Sequence, residues 1–104
     1  MTKQGQFKAD LLQRRLTLVS QVAGLNTEIL KLTQMLGGTE MEALRLELEI
    51  GREGAKPQLV RNLHEVDERA TAIRSRQRMY EDQIASAEEA IAEIDRLLEE
   101  SAGS

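Results

Sequence analysis

The fold of this chain turns on "EALRLELEIGREGAKP", Glu42 to Pro57, near the middle of its 104 residues. From Leu44 to Ile50 apolar and charged residues alternate, as they do in a half-buried β-strand. The same stretch is built from Leu, Glu, Arg and Ala, which are strong helix formers. A strand here makes the chain helix–strand–helix. A helix makes it two long arms joined by a turn, and the flanking sequence decides between the two.

On the C-terminal side, Leu59, Leu63, Val66, Ala70, Ile73, Gln77, Tyr80, Ile84, Ala87, Ile91, Ile94 and Leu98 follow each other at spacings of four and three without a slip. That is a heptad seam, with Gln77 its one strongly polar member. Pro57 stands where the first turn of a helix tolerates proline, and Gly103 lies past the last apolar turn. The N-terminal side carries a matching seam of Leu11, Arg15, Leu18, Val22, Leu25, Ile29, Leu32 and Leu36. Gly37 and Gly38 look like a stop or a kink, since glycine costs a helix about 1 kcal/mol relative to alanine. Continued through them, the same count lands on Thr39, Ala43, Leu46 and Ile50. A strand starting at Leu44 has no reason to keep that phase. The alternation is therefore read as two helical stripes seen together: Leu46 and Ile50 on the seam, and Met41, Leu44 and Leu48 on another face.

Arm lengths agree. An arm over about 6–50 matches one over about 58–101, with a turn at 51–57 in which Gly51 is expected to cap and Gly54 to turn. Folded antiparallel, the seam closes in twelve layers whose residue numbers add to 109, from Ile50 with Leu59 to Leu11 with Leu98. The expected fold is all-α: a single domain, 1–104, forming a long antiparallel two-helix coiled-coil hairpin. Arg15 opposite Ile94 and Gln77 opposite Leu32 are polar intrusions of the kind that fix register. Gly37, Gly38 and Thr39 opposite Ala70 form a thin waist. Charge supports the orientation. Residues 1–36 carry a net +3 and residues 81–104 a net −7, while 37–57 carry −2 and 58–80 carry +2. Glu42 is expected to reach Arg69, and Glu40 to lie near Asp67.

A two-helix hairpin of this size buries little core, and such chains commonly gain stability by oligomerising. Beside the seam runs a second apolar stripe of Leu12, Leu16, Val19, Ala23 and Leu30, broken by Asn26, with Ala85 and Ala92 on the matching flank of the second arm. The expectation is that a second copy covers this stripe, giving a homodimeric four-helix bundle near the termini. Near the turn, Leu44, Leu48, Arg52 and Glu53 form a candidate site for a protein partner.

Composition excludes much else. Aromatics make up 2 % of the chain and charged residues 31 %, with one proline, a helical rather than a mixed α/β profile. Without cysteine there is neither a disulfide nor a thiolate metal site. "MTKQGQFKADLLQRR" lacks the apolar run of a signal peptide, and no segment reaches the ~20 apolar residues of a membrane span, so a cytoplasmic address is expected. His64 falls on the solvent side, and no Glu-x-x-His spacing accompanies it. Glu88–Glu89 and Glu99–Glu100 are sequence neighbours, so they diverge on a helix rather than converge on one atom. "GGTEME" and "GREGAKP" lack the Lys-Ser/Thr of a phosphate loop. The basic run of Arg69, Arg74, Arg76 and Arg78 is balanced by neighbouring acids and lacks stacking aromatics, which points away from nucleic acid. No catalytic residue, cofactor or metal is expected.

In outline the chain resembles three families. It is similar to the WxG-type secreted helical hairpins in length and architecture, but has no Trp, and "YEDQI" places Ile84 where their C-terminal signal has an acid. It resembles prefoldin subunits in running helix, short β-like stretch, helix, with one such stretch where those subunits pair strands. It also resembles the coiled-coil hairpin of transcript-cleavage factors, whose tip clusters acids; here the tip mixes Glu49, Arg52, Glu53 and Lys56. The functional expectation is a non-enzymatic, self-associating interaction module, serving as scaffold, adaptor or assembly chaperone. A secreted effector and a regulator of a nucleic-acid enzyme acting through its tip are the alternatives.

Overall fold

The computed structural model describes residues 3–103. Two long helices, α1 (Lys3–Glu53) and α2 (Pro57–Gly103), pack together as a helical hairpin. No strand is present among the described residues. Leu44 to Ile50 lies inside α1, with Leu46 buried and Ile50 half-buried, while Leu44 and Leu48 face solvent. The alternation is two helical stripes.

α1 starts three residues before the expected arm and ends three residues beyond it, so the turn shrinks from 51–57 to Gly54, Ala55 and Lys56. Gly51 continues the helix instead of capping it. The cap is Gly54, whose φ of 92° only glycine adopts without strain. Its N–H donates to the Ile50 carbonyl at 2.8 Å, closing the last turn in a left-handed cap. The Lys56 N–H then donates to the Gly54 carbonyl at 2.9 Å, and the Lys56 carbonyl accepts the first helical bond of α2 from Val60 at 3.0 Å. Pro57 follows at the first helical position, where its missing N–H costs nothing. Three residues therefore suffice to reverse the chain.

α1 also runs without interruption through Gly37 and Gly38. Thr39 donates its hydroxyl to the Met35 carbonyl at 2.9 Å, a bond that other helical threonines repeat, including Thr33 to Ile29 at 2.9 Å.

Two compact units divide the hairpin. A terminal unit contains the chain up to Thr27 and from Tyr80 onward; a turn unit contains Glu28–Met79. In the terminal unit Leu11, Ala87 and Ile94 are buried, while Leu18, Val22, Leu25, Tyr80, Ile84, Ile91 and Leu98 are half-buried. Arg15 is itself half-buried, and its guanidinium donates from Nε to Asp95 Oδ1 at 2.7 Å and from Nη2 to Oδ2 at 3.4 Å. The polar intrusion keeps its stem in the seam and sends its charge to the residue after Ile94.

In the turn unit Leu32, Leu46, Val66, Ala70 and Ile73 are buried, with Val66 the most enclosed side chain at 1 % exposure. Ile29, Leu36, Thr39, Ala43, Ile50, Leu59, Leu63 and Gln77 are half-buried around them. Gln77 Nε2 donates to Thr33 Oγ1 at 3.0 Å, so the amide turns to the rim instead of staying unpaired against Leu32. Arg69 donates to both carboxylate oxygens of Glu42 at 3.3 Å, the cross-helix pair expected from the register. Glu40 lines one groove with Asp67, as the register places it, and also accepts from Arg74 at 3.4 Å. The numbers of Thr33 and Gln77 add to 110 and those of Glu42 and Arg69 to 111, within two of the layer sum. Arg15 and Asp95 give the same 110 independently in the terminal unit.

Candidate interaction surface

A heptad seam uses one stripe of each helix, and the residues left outside it define what the molecule offers to others. Among the described residues eleven large hydrophobic side chains are exposed, and nine of them belong to α1: Phe7, Leu12, Leu16, Val19, Leu30, Met35, Met41, Leu44 and Leu48. Only Val60 and Met79 come from α2. Monomeric proteins scatter single apolar residues over their surface, and their concentration on one helix hints at an interaction surface.

In the terminal unit Leu12, Leu16 and Val19 stand exposed beside Ala23. Across a shallow groove on α2 lie Ala92, Glu88, Ile91 and Asp95, which line it together with Arg15, Val19 and Val22. Ala85 is exposed on the same helix. The Arg15 hydrogen bond holds the Asp95 carboxyl below its usual value against partial desolvation, with a lesser contribution from the Arg15 charge. Farther along α2, Arg96 donates to Glu93 and to Glu100, and the first of these bonds keeps the Glu93 carboxyl low as well. Five basic and nine acidic residues fall within this unit, so it holds the whole net charge of −4.

The turn unit presents Leu30, Met41, Leu44 and Leu48 on α1. It has nine basic and nine acidic residues and is neutral. Arg52 sits in the last turn of α1, where a cation suits the carbonyl end of the helix dipole. Glu53 is taken up by Lys56 at 3.5 Å. Met35, Met41 and Met79 join the exposed apolar set without having been assigned to an interface from sequence. For Met41 the signal was its place beside Leu44 and Leu48, off the seam.

The titratable candidates are spread out. His64 Nε2 lies 3.0 Å from Glu68 one turn on, rather than with its neighbour Glu65. Arg69 and Arg74 spend their charges on Glu42 and Glu40. No group of three or more His, Cys, Asp or Glu able to hold a metal ion occurs among the described residues, and no described helix is long and apolar enough to cross a membrane.

Fold and surface together define a two-helix hairpin whose α1 leaves large apolar side chains outside the seam in both units. Compared with family models, curated proteins and solved structures, the chain matches none.

Proposed function

We propose that this chain is a non-enzymatic coiled-coil interaction module that self-associates and holds or presents another protein, as a scaffold, adaptor or assembly chaperone. The observation that carries the reading is the concentration of exposed large hydrophobics on α1, nine of eleven. Burial of such side chains is worth about 1.5–3 kcal/mol each, enough for a handful to drive association of helices. Two hairpins meeting along α1 make a four-helix assembly. Its contact can lie on the stripe of the terminal unit, with Leu12, Leu16, Val19, Ala23, Ala85 and Ala92, or on that of the turn unit, with Leu30, Leu44 and Leu48. The mode of recognition is helix against helix, with apolar anchors at heptad spacing.

Sedimentation equilibrium tests it. The expected mass is twice that of one chain at high micromolar concentration. Leu16→Glu and Leu44→Glu, made separately, each leave the hairpin helical, and one of them returns the mass to a single chain. A mass of one chain for the unsubstituted protein at every concentration rules out self-association. If neither substitution alters a dimeric mass, the contact does not use α1.

A further inference from the structure

We infer that the second copy docks on the turn unit, through the face of α1 that carries Met41, Leu44 and Leu48, with the two α1 helices parallel and in register. This rests on the self-association proposed above and adds its location and orientation. From Leu30, spacings of four and three run through Gln34, Gly37, Met41, Leu44, Leu48 and Gly51, and every one of these residues is exposed. The same helix therefore carries a second heptad row, three heptads long, on the side of α1 turned away from the seam. Leu30, Met41, Leu44 and Leu48 are 48–67 % exposed, and a Cβ built on Gly37 or Gly51 meets nothing within 4 Å. Four of its seven positions are large and apolar, and all seven are left open by the described residues.

Charge selects the occupant and its direction. The residues preceding the core positions on one flank are Thr33, Glu40 and Glu47; those following on the other flank are Lys31, Gly38, Arg45 and Arg52. In a parallel in-register pair the preceding residue of one helix meets the residue five further on in the other. Glu40 then meets Arg45 of the second copy, and Glu47 meets Arg52 of the second copy, twice each by symmetry. An antiparallel pair joins like flanks, glutamates to glutamates and basic residues to basic residues. Arg45, Glu47 and Arg52 make no ion pair within the chain among the described residues, while Glu40 shares its carboxylate with Arg74 at 3.4 Å. The contact is closed by a two-fold axis, so it ends at a dimer. In the terminal unit the groove beside the stripe holds Glu88, Asp95 and Arg15, with Arg15 already paired to Asp95, and each copy brings a net −4.

The absence of cysteine makes the test direct. Met41→Cys and Leu48→Cys, made singly and oxidised, are both expected to give disulfide-linked dimers, with Leu16→Cys left uncrosslinked. Glu47→Arg alone and Arg52→Glu alone each weaken dimerisation about tenfold, and their equimolar mixture recovers it as heterodimer. Added salt weakens the unsubstituted dimer. A protein dimeric by mass that cross-links only at Leu16→Cys, or at just one of Met41→Cys and Leu48→Cys, overturns the location or the orientation and leaves self-association standing. A mixture no tighter than its parts overturns the charge pairing. A single-chain mass at every concentration overturns self-association itself.

Discussion

The terminal and turn units are built from the same heptad repeat on the same two helices, yet they differ in what the repeat buries and in how charge is spread. The turn unit has five buried apolar residues, Leu32, Leu46, Val66, Ala70 and Ile73; the terminal unit has three, Leu11, Ala87 and Ile94. The turn unit is neutral and ties its helices with Arg69–Glu42 and Arg74–Glu40; the terminal unit carries the whole −4 and has Arg15–Asp95 across its helices. The same pattern thus yields a denser core beside the turn and a more solvated, more acidic pairing beside the termini. The difference lies in which side chains fill the heptad positions and their flanks.

The largest effect expected from this contrast is in core truncation. Leu32→Ala removes a side chain that is 4 % exposed and is expected to cost about 2–4 kcal/mol. Leu18→Ala, at a half-buried position of the terminal unit, is expected to cost roughly half as much. Urea denaturation followed by circular dichroism measures both. Equal losses at the two positions erase the distinction between the cores.

A smaller and opposite effect is expected at glycines. A Cβ on Gly37 or on Gly24 meets nothing within 4 Å, so alanine at either position should stabilise the isolated hairpin by about 1 kcal/mol. The units part company once a second copy is present. Gly24→Ala keeps only its helical gain, while Gly37→Ala also places a methyl group in a glycine layer of the proposed contact and strengthens dimerisation. Measuring each with and without Leu48→Glu, which blocks docking, separates helix propensity from association. Identical behaviour at the two glycines removes the turn unit's claim to the contact.

How much of this was legible in sequence depends on the length scale of the signal. The seam phase carried from Leu36 past Gly37 and Gly38 to Leu46 and Ile50, and that long-range regularity is why a strand-like stretch could be assigned to helix. The ends of α1 were not legible. Gly51 and Gly54 are both glycines before a proline, and the choice of cap depends on which one completes the last turn with the Ile50 carbonyl. The pairing of Glu42 with Arg69 followed from register alone. Arg74 reaching Glu40 did not, because a long guanidinium side chain can reach a neighbouring layer, and residue numbers do not specify its rotamer. The exposed stripe of α1 was visible as a pattern, but its division between an acidic unit and a neutral one needed the grouping of residues in space.

The smallest effect concerns the cross-helix pair of the terminal unit. Both partners are exposed, and exposed pairs contribute little. The sign of the contribution is nevertheless defined. Hydrogen bonding to Arg15 depresses the Asp95 carboxyl in the folded chain; partial desolvation opposes it, and the Arg15 charge adds a lesser depression. A depressed folded value means that the stabilisation is complete above the ordinary aspartate range and is lost as pH falls through the folded value. Asp95→Asn is therefore expected to lower the denaturation midpoint slightly at neutral pH and to match the unsubstituted chain once both are acidified below that value. The substitution also removes one of eight acids between residues 81 and 104, which relieves repulsion. These two consequences oppose each other at neutral pH, and only the first follows the titration of Asp95 itself. A midpoint that rises on Asp95→Asn would mean that collective acidity, rather than the ion pair, governs the terminal unit. The contrast with the neutral turn unit would then be one of repulsion as well as of packing.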